Sequence, residues 1–74
     1  MKHPTKKWMG SIPEKCDICH SPLTQVFVDG RLRNSTQWAM MCPECFMDLG
    51  VALGTGFGQR YELNSHNEWV KTGG

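Results

Sequence analysis

The sequence predicts a small α+β domain organised around a bound metal, and three observations predict it. All four cysteines fall in two C-x-x-C units, Cys16-Asp17-Ile18-Cys19 and Cys42-Pro43-Glu44-Cys45. Residues between the units alternate apolar and polar as a β-hairpin does, and apolar residues after the second unit recur at helical spacing. The chain has 74 residues, and below about 70–80 residues an apolar core alone rarely supplies more than about 3–5 kcal/mol.

The gap of 22 residues between the units is slightly longer than the roughly 15–20 usual for a four-cysteine zinc site, so the intervening hairpin must be somewhat extended. Zn²⁺ accepts four thiolates at tetrahedral corners, and a closed sulfur shell leaves no position for water or substrate. One structural Zn²⁺ on Cys16, Cys19, Cys42 and Cys45 is the expectation. Two disulfides, a redox-active pair and an iron–sulfur cluster are the alternatives. Residues 1–10 carry Lys2, Lys6 and Lys7 with no apolar run, which argues against a secretory leader and for a reducing compartment. A redox C-x-x-C belongs at a helix start in a βαβ context that this chain is too short to supply.

The formal net charge is +1, and four thiolates with a divalent cation bring it to about −1. A globally basic nucleic-acid binder is thereby excluded. The sequence has no stretch long and apolar enough for a membrane helix, and no small-molecule substrate is expected.

In chain order, residues 1–11 read as a flexible basic arm. Lys6 and Lys7 are available to phosphates, and Trp8 either stacks on a partner or folds back on the domain. Residues 12–61 read as the zinc domain. Ile12 precedes Pro13 and is pushed toward extended backbone. His20 follows the first unit where a positive φ is needed, and it is not expected to be a ligand. Residues 24–33 place Val26, Val28 and Leu32 on one side and Phe27, Asp29 and Arg31 on the other, and residues 36–42 return as a second strand. Of two competing turns, Arg33-Asn34-Ser35-Thr36 leaves strands of matched length, with Gly30 as a bulge or bend. Arg31 and Arg33 then stand near the tip, placed for phosphates or an acidic partner.

Pro43 suits the first position of a helix and Glu44 its positive end. Phe46, Leu49 and Leu53 form its core face, and the helix should end by Gly54. The glycines at 54, 56 and 58 are expected to turn the chain so that Tyr61 packs back, with Arg60 beside it. A nucleotide-binding loop would instead precede a helix. Residues 62–74 read as a tail that docks in part, through Trp69 and Val70.

A knuckle, a hairpin and a helix carrying the last two ligands resemble the treble-clef zinc finger. A zinc ribbon, with a strand after Cys45, is the alternative. The narrower pattern is Cys16-Asp17-Ile18-Cys19, Val28-Asp29-Gly30-Arg31, Trp38-Ala39, Met41-Cys42-Pro43-x-Cys45 and Gly50-Val51-x-Leu53-Gly54-Thr55-Gly56-x-Gly58-Gln59-x-Tyr61. It resembles the small four-cysteine zinc-finger proteins encoded by bacteriophages and prophages. The chain departs from that pattern at Ser35-Thr36-Gln37 and at Phe46. The resemblance implies a phage-encoded protein acting in the cytoplasm of a bacterial host, and members generally have no assigned function.

Three function classes follow. The first is a non-enzymatic module binding DNA or RNA through Lys6, Lys7, Trp8, Arg31, Arg33 and Arg60. The second is an adaptor for a host or phage protein through exposed Trp8, Phe57, Trp38 or Trp69. The third is a nuclease of treble-clef type, disfavoured because His3, His20 and His66 fall in no catalytic pattern and the hairpin holds no histidine. The expectation is the first class, without catalytic residues.

Overall fold

The computed structural model describes residues 7–74. Its elements are β1 (Val26–Arg31), β2 (Trp38–Met41), α1 (Pro43–Leu49), β3 (Gly58–Leu63) and β4 (Trp69–Gly73). The strands form one antiparallel sheet in the order β2-β1-β3-β4. Among the described residues no helix is long and apolar enough to cross a membrane.

The β1–β2 hairpin uses the turn expected from matched strand lengths. Leu32 N–H donates to Gln37 O at 2.9 Å, Ser35 N–H to Leu32 O at 3.2 Å, and Asn34 takes the left-handed φ of 59°. Gly30 is not a bulge. It pairs regularly with Ala39 on one side and Gly58 on the other, and the sheet's register shift lies at Arg60/Tyr61. Its lack of a side chain serves close approach instead, since a Cβ there would stand 3.2 Å from Phe57 O and 3.4 Å from Gly58 Cα.

β1 lies inside the sheet, and Phe27 and Val28, on opposite faces, are both buried. Phe27 stacks on its cross-strand neighbour Tyr61, with centroids 5.2 Å apart, and Trp8 meets both rings edge-on. Trp69 closes on Phe27 at 5.0 Å. The buried cluster comprises Cys16, Leu23, Phe27, Ala39 and Met41.

α1 begins as expected: Cys42 is extended (φ −68°, ψ 161°), Pro43 opens the helix and Glu44 lies in its first turn. It is short and ends before Gly54, as expected, at Leu49. Gly50 N–H donates to Phe46 O at 2.8 Å and its ψ of 171° then leads the chain out of the helix, toward a bridge with Leu32. Of the three residues assigned to its core face, Phe46 packs on the buried cluster, while Leu49 and Leu53 are 42% and 39% exposed. The segment after Cys45 is helical, not the strand that the ribbon alternative requires.

The chain ends differ from their expected form. β3 runs through the division placed after residue 61, and β4 completes the sheet, so residues 62–74 are mostly strand. The β3–β4 turn is built by Asn64, whose Oδ1 accepts from His66 N–H and Glu68 N–H at 2.9 Å each. At the other end Lys7 bridges Val70, and Trp8 N–H donates to Trp69 O at 2.9 Å. Residues 7 and 8 are therefore joined to the outer side of β4 and not to a free arm. Lys6 and the preceding part of the arm lie outside the described residues.

Candidate metal centre

The first C-x-x-C is a tight turn closing a small antiparallel ladder. Leu23 N–H donates to Glu14 O, Cys16 N–H to Ser21 O and His20 N–H to Cys16 O, each at 2.9 Å, and Lys15 bridges Pro22. His20 takes φ 63°, as its position was expected to require. Asp17 fastens this knuckle to the second unit. Its N–H donates to Met40 O at 2.8 Å, and its Oδ2 accepts from Met40 N–H at 2.8 Å. Met40 lies two residues before Cys42, where β2 passes into α1, and Cys45 sits in the helix's first turn.

The four Sγ atoms all lie within 4.8 Å of one another, and Cys19 Sγ is 3.7 Å from Cys42 Sγ. Four sulfurs about 2.3 Å from a tetrahedral ion stand about 3.8 Å apart, whereas a disulfide brings two to about 2.05 Å. All four cysteines are free. The four sulfurs are thus positioned to hold one metal ion, and the disulfide alternative falls. His20 is exposed and is not part of the cluster.

The surroundings prepare the sulfurs unequally. A hydrogen bond with the Ser21 hydroxyl, at 3.3 Å, pulls the Cys19 thiol down to about 6. Burial opposes ionisation of Cys16, but the backbone N–H groups of Cys19, Cys42 and Ile18 outweigh it and lower its pKa. At Cys42 the Cys45 N–H favours the thiolate, yet burial and the thiols of Cys19 and Cys16 prevail and raise the pKa. Burial first, then the three other sulfurs, pushes Cys45 up strongly. Packed this closely, four thiolates repel one another unless a cation sits among them, which is how metal binding displaces the remaining protons.

The basic residues offered for partner contact do not form one patch. Arg31 and Arg33 come together at the hairpin end. Arg31 Nη1 donates to Ser35 O at 3.3 Å, and Arg33 Nη2 to Gly50 O at 3.3 Å. Lys7 and Trp8 lie at the opposite end, where Lys7 Nζ is 2.6 Å from Glu68 Oε2 and Trp8 is half-buried in the aromatic cluster. Arg60 donates to Thr72 Oγ1 at 3.1 Å and Thr72 O at 3.2 Å, with Glu62 Oε2 at 3.7 Å. Of the aromatic residues named for an adaptor, Trp69 is half-buried, whereas Trp38 and Phe57 remain on the surface.

The glycine run is a turn. Gly54 (φ 132°) and Gly56 (φ 84°) are in the region that side chains disfavour, and Gly54 O accepts from both Phe57 N–H and Gly58 N–H at 3.0 Å. The loop delivers β3 beside β1, and Tyr61 packs back as expected. Reading the residues singly did not reveal the roles of Asp17 and Ser21. The signal for Ser21 was its place two positions past Cys19. The pairing of Asp17 with Met40 joins residues far apart in the chain and left no local trace.

Compared with protein-family models, with curated proteins and with solved structures, the chain matches none.

Proposed function

We propose that the four cysteines hold one structural Zn²⁺ and that the chain is a non-enzymatic module binding DNA or RNA from the scaffold this ion maintains. The observation that carries the reading is the convergence of four sulfurs within 4.8 Å, with one pair at 3.7 Å. An all-thiolate tetrahedral set suits Zn²⁺ or iron–sulfur chemistry, and the fit to a single tetrahedral ion favours zinc. Four protein ligands leave no open coordination position, so the ion's work is to hold the knuckles together. The order of knuckle, hairpin and helix supports a treble-clef reading, with β3 and β4 as a second hairpin beside it. Origin in a phage genome and action in the cytoplasm of a bacterial host belong to the same reading, on the resemblance of the cysteine and glycine motifs.

One observation favours the second reading, a protein adaptor. The helix and the segment after it expose Met47 at 79%, Leu49 at 42%, Val51 at 40% and Leu53 at 39%, and exposed apolar clusters often mark protein contacts.

Native mass spectrometry combined with a gel shift on random DNA and RNA tests the proposal. We expect one zinc per compact chain and a shift that fades with added salt. A compact chain carrying no ion overturns the metal reading. No shift at low salt overturns the nucleic-acid reading.

A further inference from the structure

Trp38 and Phe57, both exposed, share one face of the sheet with an arginine between them. The register sets Trp38 of β2 opposite Arg31 of β1. On the other side of β1, Arg31 N–H donates to Phe57 O at 2.8 Å, immediately before the Gly30–Gly58 pair. Residues opposite one another on adjacent strands share a face, so Trp38, Arg31 and Phe57 make a row across three neighbouring segments. The Arg31 guanidinium carbon lies 5.6 Å from the Phe57 ring centroid. Trp38 is 43% exposed and Phe57 41%. Behind them on the same face come the half-buried Met40, Asp29 and Gln59, and then Phe27 and Tyr61 against Trp8. The face is covered at one end and open at the other.

We propose that this open end is a stacking platform for single-stranded nucleic acid, with bases on Trp38 and Phe57 and phosphates on Arg31 and Arg33. This rests on the nucleic-acid reading above and adds to it the site and the strandedness.

Spacing selects the single strand. Trp38 and Phe57 are two strand intervals apart, about 9.5 Å, whereas stacked bases in a duplex strand follow at about 3.4 Å. Two bases can occupy both rings only where the strand between them is unstacked, which a single strand permits and a duplex does not. Aromatic rings accept any base by its π-face, and an arginine between them adds cation–π and phosphate contact.

Charge selects the orientation. Arg31 and Arg33 lie at the hairpin end, while the acids on this side, Asp29 and Asp17, stand by Met40. A polyanionic backbone is drawn to the hairpin end and repelled from the row behind. The base edges then point toward Asp29 and Gln59, whose polar groups can bond base amino groups.

The test uses the full zinc-loaded chain with labelled oligothymidylate, oligouridylate and a duplex, read by fluorescence anisotropy. We expect both single strands to bind more tightly than the duplex, with a log–log salt slope of about −1.4 for two phosphates. Trp38→Ala and Phe57→Ala should each weaken binding by roughly 5- to 150-fold. Trp38→Phe and Phe57→Tyr should retain most of it, which a merely structural role for ring size would not explain if zinc content and melting stay unchanged in all four variants. Met47→Ala, on the exposed helix, should leave affinity unchanged. Single-strand binding insensitive to both alanine substitutions, or a preference for duplex, overturns the platform and leaves the nucleic-acid reading standing. No binding of any probe by the unsubstituted chain at low salt overturns both, and points to a protein partner.

Discussion

On the β2 side of the sheet, Cys16, Cys19, Cys42 and Cys45 converge on a point that is cohesive only with a cation in it. Toward β3 and β4, Trp8, Phe27, Tyr61 and Trp69 hold together through ring contacts of 5.0–5.3 Å that depend on no ligand. The difference is one of magnitude as well as kind. Aromatic pairs add about 0.5–1.5 kcal/mol each beyond the area they bury. Structural zinc in small finger peptides contributes on the order of 10–16 kcal/mol of apparent binding free energy. If the four sulfurs hold zinc as proposed, the aromatic end refines the packing and the sulfur end decides whether the chain folds.

The largest expected effect follows from that ranking. Cys45→Ser, or Cys16→Ser, should abolish the cooperative melt, because three sulfurs no longer close the shell and the small core cannot compensate. Calorimetry showing a retained cooperative transition in either variant would reverse the ranking and make the aromatic end sufficient. Phe27→Ala should come next, costing about 3–5 kcal/mol. Phe27 is fully buried and touches the rings of Trp8, Tyr61 and Trp69. Denaturant melts of the zinc-loaded protein measure it, and an unchanged metal stoichiometry would show that the two ends are separable.

The smallest effect concerns Asp29, on the aromatic cluster's own face between Phe27 and Arg31. Burial first, then the charge of Asp17, raises its pKa above the ordinary carboxylate value. A carboxyl whose folded pKa is raised favours the fold below its unfolded pKa and loses that contribution as pH rises through the folded one. Asp29→Asn should therefore raise the melting temperature at neutral pH, and the gain should vanish on acidification below the carboxylate range. A gain that persists with the carboxyl protonated would show that the electrostatic account is wrong.

What was legible in the sequence was what local chemistry determines. The cysteine spacing marked the four sulfurs that converge, Pro43 marked the start of the helix, Arg33-Asn34-Ser35-Thr36 marked the turn, and His20 its positive φ. The misreadings came where distant partners decide. Residues 62–74 read as a partly docked tail with a turn at Asn64, Ser65, His66 and Asn67; the turn is there, and what the reading missed is the strand on each side of it. β3 is a strand because β1 lies beside it, a partner from the other half of the chain. Gly30 looked like a bulge for the same reason: the strand that needs its smoothness follows much later. Leu49 and Leu53 fit helical spacing, but Gly50 takes the chain out of the helix to meet Leu32, which leaves Leu49 as the last helical residue and Leu53 beyond the helix.

The outer strands have one further consequence. Asp17 occupies both backbone groups of Met40 on β2, and Trp8 occupies Trp69 O on β4. Neither flank is left wholly bare for another molecule to extend the ladder, a common way of blunting sheet edges. Asp17 belongs to the cysteine turn, so the knuckle that gathers the sulfurs also occupies the β2 flank of the sheet.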